Sequence, residues 1–218
     1  MEKAIKLGAS YTIGSHILPG EPLIKISEIF NNQVNLKILR CRDIIEGVKN
    51  NTFDFGLIEA PIFDDDLIYK EWMEDELVVC SKTPLGASID AEMISRCQLL
   101  CRKERSPTRQ LIASFFRQQG LSYYNFDSLM EIDNATSAIQ GVKWSKPNRE
   151  YPTVAIVSQF AIEEELKRKE LYQARVGGKP IVRYFYLIYG KNKKDDTRIE
   201  ETAGYLKAWQ FSLLAKPA

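Results

Sequence analysis

The chain has 218 residues, 44% of them hydrophobic and 27% charged, with a formal net charge of +1. That balance belongs to an ordinary folded protein of one large domain or two small lobes. It supplies no basic field for nucleic acid or a membrane surface, and no apolar run approaches the length of a bilayer span.

Ala4–Ala9 alternates as a strand and runs into "GASYTIGSHILPG" (Gly8–Gly20), where small and hydroxyl residues crowd a strand-to-helix junction. Such a junction serves as a turn and helix cap, or it keeps a helix N-terminus clear for a ligand. A helix follows with Leu23, Ile26 and Phe30 on one face, then a strand at Leu36–Arg40 and a short helix carrying Ile44, Ile45 and Val48. Phe53–Ala60 reads as a buried strand, with further strands at Ile68–Trp72 and Leu77–Cys80. The βαβαβ order predicts a parallel sheet covered by helices on both faces.

Turn residues cluster at Ser81–Ser88, and the alternation then restarts. Strands are predicted at Leu99–Arg102, Leu129–Ile132 and Val154–Val157, and helices at Thr108–Gln119, Asn134–Val142 and Ala161–Lys169. Gly120 ends the first of these helices. Lys143–Pro152 is a polar loop. A long strand, Ile181–Tyr189, and a helix, Asp196–Leu214, with Ile199, Ala203, Leu206, Trp209 and Leu213 on one face, close the chain. The pattern predicts two α/β lobes that cross near residues 81–88.

Ligands of parallel α/β sheets collect outside the carboxyl ends of the strands. The polar residues at those ends are Ser10, Thr12 and Ser15; Arg40, Cys41, Arg42 and Asp43; Ser106, Thr108 and Arg109; Asp133, Asn134 and Thr136; and Ser158 and Gln159. Each set alone is what a helix cap would need. Together they describe a polar cleft suited to an anion, because each helix N-terminus favours negative charge by about 0.3–1 kcal/mol. Arg42 and Arg109, if directed inward, would add charge-assisted bonds.

Other chemistries find little support. The four cysteines, Cys41, Cys80, Cys97 and Cys101, have no zinc spacing, and His16 is the only histidine. Cys97 and Cys101 sit four apart in a predicted strand, roughly 13 Å at the usual rise, too far for a disulfide. His16 has no nucleophile partner in sequence, and no dinucleotide, phosphate-loop, serine-hydrolase or zinc-protease motif occurs. Asp64–Asp66 reads as a solvated turn, and Glu163–Glu170 as a helix face with i,i+4 ion pairs. No metal, cofactor or catalytic residue is assigned.

Five segments in order, "KLGASYTIGSHILPGEPLIKISEIF", "FDFGLIEAPIFDDDLIYKEWMEDELVVC", "RSPTRQLIASFF", "TVAIVSQFAIEEEL" and "RYFYLIYG", resemble the effector-binding (co-inducer) domain of LysR-type transcriptional regulators. The resemblance covers nearly the whole chain. It implies an α/β fold of two Rossmann-like lobes joined by two crossover strands, near Val78–Ser81 and Arg183–Tyr186, similar to type 2 periplasmic binding proteins. The lobes would be 1–81 with 184–218, and 82–183, with a small effector in the cleft between them. The family's ligand positions fall on Ser10 and Thr12, on Cys41 and Arg42, on Ser106, Thr108 and Arg109, and on Asn134 or Thr136.

Two departures bear on the second lobe: the longer "WSKPNREYP" before "TVAIV", and Ser158 where proline commonly ends that strand. Cys41-Arg42 in place of small polar residues favours an anionic effector. The DNA-binding winged helix-turn-helix that precedes this domain in the family is absent from these residues, so the resemblance implies a cytoplasmic sensor fragment. It would pair as a homodimer, with tetramers open to the full-length protein, and meet DNA only through the missing domain. No membrane partner is expected. Three rivals stand beside it: an extracytoplasmic solute-binding protein of a transporter, an enzyme using His16, Asp43 or Asp133, and a redox sensor using Cys41 or Cys101.

Overall fold

The computed structural model describes residues 4–146 and 150–214, apart from the side chains of 211–214. Pro147, Asn148 and Arg149 of the expected polar loop, and the Leu213 side chain expected on the last helix face, lie outside the described residues. In chain order the elements begin with β1 (Ile5–Ala9), a π-helical turn (Ile13–Ile17), α1 (Glu21–Phe30), β2 (Val34–Ile38), α2 (Cys41–Lys49), β3 (Phe55–Ile58) and β4 (Leu67–Ser81). They continue with β5 (Ser88–Ile89), α3 (Ala91–Arg96), β6 (Gln98–Arg102), α4 (Pro107–Gln118), β7 (Ser128–Ile132), α5 (Ala135–Lys143) and β8 (Thr153–Ser158). The last are α6 (Glu163–Lys167), β9 (Tyr172–Val176), β10 (Ile181–Gly190) and α7 (Thr197–Leu214).

The chain divides into two compact units: Met1–Glu74 with Arg183–Ala218, and Asp75–Val182. The first division falls earlier than the expected 81/82 boundary. The reason is β4, which is one strand rather than two; its last residues, Leu77–Ser81, pair antiparallel with Ser158–Val154 of β8.

In the first unit the strand order is β2-β1-β3-β10. β1 runs parallel to both β2 and β3, and β10 returns antiparallel to β3 with Leu187 opposite Leu57. Side chains alternate across this sheet. Phe55 and Leu57 face one side, where the Phe30 ring of α1 stacks on Phe55 at 5.6 Å. Ile58 faces the other side and packs with Ile44, Ile45 and Val48 of α2, Phe53, Leu67 and Ile188. Gly56 of β3 leaves room for the apolar stripe of α2 above it, and Gly47 of α2 leaves room for the Phe53 ring. A Cβ on Gly56 would sit 2.5 Å from Ile44 Cγ2 and 3.0 Å from Ile188 Cγ1, and one on Gly47 would strike the Phe53 ring.

The second unit repeats the scheme as β4-β8-β6-β7, with β6 parallel to β7 and β8. β9 pairs antiparallel with β4 and carries the two-residue β5. One face buries Leu99, Cys101, Ile112, Phe115, Phe116, Val154 and Ile156; the other buries Leu100, Ala138, Ile139, Val142, Ala155 and Val157. Burying each large aliphatic or aromatic side chain contributes about 1.5–3 kcal/mol. The expected strands and helices are present, with β2 starting two residues earlier than expected. β5, α3, β9 and the π-helical turn were not anticipated.

Candidate functional site

In the first unit, the carboxyl ends of β1 and β3, the start of α2 and the start of the returning β10 converge. Ser10 follows β1; its N–H donates to Leu57 O at 2.9 Å, tying the end of β1 to β3, and its carbonyl accepts Gly14 N–H at 2.7 Å. Ser10 and Thr12 are buried, at 1% and 4% exposure. Ser10 Oγ donates to Glu59 Oε2 at 3.2 Å. Arg183 Nη2 donates to Thr12 Oγ1 at 3.3 Å, and Arg183 Nη1 stands 3.5 Å from Glu59 Oε2. The Glu59 and Arg183 side chains keep only 9% and 7% of their surface exposed. A buried pair of this kind holds its geometry because removing either partner strands a charge. The Arg183 guanidinium also lies over the Phe185 ring, 5.3 Å from its centroid.

Cys41 opens α2 next to this group. Burial pushes its thiol up to about 12, with the Glu59 charge adding to the rise. The backbone N–H groups of Glu59 and Ala60, and then Arg183, pull the other way. Arg42 and Asp43, one and two residues further along α2, are exposed. Ser10, Thr12 and Cys41 are thus brought together, and Arg42 lies on the outer surface of the same helix turn.

The second unit gathers its expected residues at the ends of β6 and β7. Ser106 is buried at the start of α4, its N–H donating to Lys103 O at 2.8 Å. Asn134 Oδ1 accepts the Ser137 N–H at 2.8 Å, which makes it the N-cap of α5. Thr136 is exposed and Thr108 half-buried. Lys103 and Asp133 join the two loops at 3.0 Å. Arg109 is engaged within its own unit: Nη1 donates to Arg102 O at 2.7 Å and to Cys101 Sγ at 2.9 Å, and Glu131 is 3.7 Å away. Its guanidinium covers the Tyr123 ring at 4.2 Å, a stacking a lysine would not reproduce. At the end of β8, Ser158 Oγ donates to Asp75 Oδ1 at 2.6 Å, and Asp75 is fully buried.

Glu59, Arg183 and Asp75 escaped the sequence reading. For two of them a signal was there: Glu59 and Arg183 are charged residues at the edge of, or inside, an otherwise apolar strand, in "FGLIEA" and "IVRYFYLIYG", whereas Asp75 sits between Glu74 and Glu76 and carries no such mark. A charged residue is seldom buried unless paired.

The four cysteines are free and buried. Burial raises Cys80 to about 12 and Cys97 to about 11, and raises Cys101 against the opposing pull of Arg109. The thiolate is the reactive form, so at neutral pH these thiols are poor nucleophiles. Asp64 pairs with Lys49 at 2.7 Å. Among the described residues no cluster of three or more His, Cys, Asp or Glu side chains could hold a metal ion. No helix among them is long and apolar enough to cross a membrane.

The sequence model of the LysR substrate binding domain matches residues 2–210. A Staphylococcus xylosus protein described as an uncharacterized HTH-type transcriptional regulator in the lacR 5' region is 26% identical over 204 residues, which are 93% of this chain and 67% of that protein. The chain spans between about a third and two thirds of the length of the curated relatives it matches. Among solved structures, the Synechocystis PCC6803 CcmR regulatory domain in complex with 2-PG superposes with a TM-score of 0.74 at 20% identity, covering 95% of this chain and 97% of that one. The effector binding domain of QuiR in complex with shikimate gives 0.73 at 20% identity, covering 95% and 99%. These likenesses establish the fold.

Proposed function

Since the chain belongs to the LysR substrate-binding domain family, we propose that it is the effector-sensing part of a transcriptional regulator, and that a small molecule is held at the carboxyl ends of its parallel strands. The observation that carries this is the Ser10–Thr12–Glu59–Arg183 group, two hydroxyls and a buried ion pair gathered where β1, β3 and β10 meet. Polar groups this buried at a strand end need hydrogen-bond partners, from the protein or from a guest. The end of an α/β strand is also where ligands bind.

Ser106, Thr108 and Thr136 supply further hydroxyls at the strand ends of the second unit, and Cys41 supplies the apolar wall beside Glu59. Arg42 provides positive charge at the first turn of α2 that favours an effector with an acidic group. The protein acts in the cytoplasm as a homodimer, contacts DNA through a segment outside this chain, and performs no catalysis. The regulator relatives favour this reading over the solute-binding alternative. An effector controls such a protein only by binding one of its states better than another. Full reversal of a 1:99 population takes about a 10⁴-fold preference.

A thermal-shift screen of small carboxylates, hydroxycarboxylates, phosphate and sulfate tests the reading. At least one compound should raise the midpoint, and Thr12→Ala should abolish that rise. A panel with no hit, or a hit that Thr12→Ala leaves unchanged, would refute the placement.

A further inference from the structure

The corner formed by Ser10, Thr12 and Glu59 has a hydrogen-bond polarity that can be read atom by atom. Ser10 directs its one O–H at Glu59 Oε2, so its oxygen faces any guest as an acceptor. Thr12 Oγ1 receives an Arg183 N–H, so its own hydrogen is available to donate. Arg183 is already paired with Glu59, so its charge is largely cancelled where it stands. Among the described residues, Oε1 of Glu59 receives no hydrogen bond, although the side chain is only 9% exposed. The corner therefore offers two acceptors, Glu59 Oε1 and Ser10 Oγ, and one donor, Thr12.

Sulfate fits this badly, because it has no hydrogen and brings only negative oxygens towards a carboxylate; phosphate keeps a P–OH at neutral pH but brings its remaining negative oxygens into the same corner. An ammonium fits half of it: it donates to Glu59 but has no lone pair for Thr12, and it would sit beside Arg183. A hydroxyl meets both polarities, since one oxygen can donate its hydrogen to Glu59 and accept from Thr12. Resting on the effector-sensing reading above, we propose that the effector is a hydroxylated acid. Its hydroxyl, and not its acidic group, occupies the Ser10–Thr12–Glu59 corner, and Glu59 is the residue that selects for it. A hydrogen bond to a charged group in a closed site separates a hydroxyl compound from its deoxy analogue by about tenfold to a hundredfold.

The test uses the unmodified chain and matched pairs in calorimetric titration: glycolate against acetate, L-lactate against propionate, shikimate against a cyclohexene carboxylate lacking the ring hydroxyls, with phosphate and sulfate as donor-poor anions. At least one hydroxy acid should bind about tenfold or more tightly than its partner, and phosphate and sulfate should bind more weakly than that acid. Glu59→Gln should shrink the hydroxyl preference by at least about threefold while improving phosphate or sulfate binding. The matched pairs decide the matter even if that variant does not fold. Equal affinities within every pair, or Thr12-dependent binding of phosphate or sulfate alone, would overturn this inference and leave the sensing reading standing. Silence from the whole panel would overturn both.

Discussion

Replacing Gly56 with alanine tests how α2, and with it Cys41, is seated beside the proposed site. The new Cβ would stand 2.5 Å from Ile44 Cγ2 and 3.0 Å from Ile188 Cγ1. The first contact is about 1–1.5 Å short of the ~3.5–4.0 Å at which carbon atoms attract. Ile44 and Ile188 are both fully buried, so neither can swing into solvent and α2 must lift. Overpacking of this kind costs about 1–3 kcal/mol. Ile44→Ala alone should cost about 2–5 kcal/mol through the cavity it leaves. The double variant should cost less than the sum, because removing Ile44 Cγ2 makes room for the alanine. A coupling of about 1–2 kcal/mol, within the range seen for residues in contact, should appear in urea midpoints followed by tryptophan fluorescence at constant slope. Additivity within about 0.5 kcal/mol would show that the close approach of α2 to β3 is not what Gly56 provides.

Three further outcomes follow from the packing. Ser158→Ala removes the 2.6 Å donor to the fully buried Asp75 and should destabilise the chain by about 1–3 kcal/mol, read by thermal denaturation; an unchanged midpoint would mean that this bond contributes nothing. Arg109→Lys keeps a charge but gives up the Tyr123 stacking and the forked bonds, so the urea midpoint should fall by the equivalent of about 1 kcal/mol or more, and a midpoint equal to wild type would contradict the tether. Cys41 and Cys80 are raised from 9.0 to about 12 in the fold, so the folded state keeps protons that the unfolded state releases. Their stabilisation is complete below pH 9 and is lost as pH climbs towards 12, each thiol contributing a slope of up to about 1.4 kcal/mol per pH unit. Urea midpoints from pH 8 to 10.5 should decline, and a thiol reagent at pH 8 should react slowly until the chain is unfolded; a flat profile with four fast thiols would refute the burial argument.

The layers of this fold were legible because strands and helices alternate with clear periods, as in Phe55–Ile58 and in the apolar stripe of α2. β4 read as two strands because exposed Glu71 and Glu74 and buried Asp75 interrupt its apolar pattern. The hydrogen bond from Ser158 helps make the third acid tolerable there. β5 is too short, at two residues, to show any alternation. β9 does alternate, as Tyr172-Gln173-Ala174-Arg175-Val176 with Ala174 and Val176 buried, but five residues directly after a charged helix do not stand out as a strand. The hydroxyls of the first unit could be picked out as junction residues. Their partners could not: Arg183 lies 171 residues from Thr12, and no local pattern announces a contact at that separation. Asn134 and Arg109 were legible as junction residues too, but the N-cap bond of one and the aromatic stacking of the other depend on neighbours that the sequence does not reveal.

The central claim is that a guest lands on the Ser10–Thr12–Glu59 corner. Backbone amide shifts in a ¹⁵N-labelled sample, followed during titration with the tightest-binding hydroxy acid of the matched pairs, test it most directly. The amides of Ser10, Thr12, Glu59 and Ala60 should move and saturate together, at the dissociation constant found by calorimetry. Saturating shifts elsewhere in the chain, with these four unmoved, would contradict it.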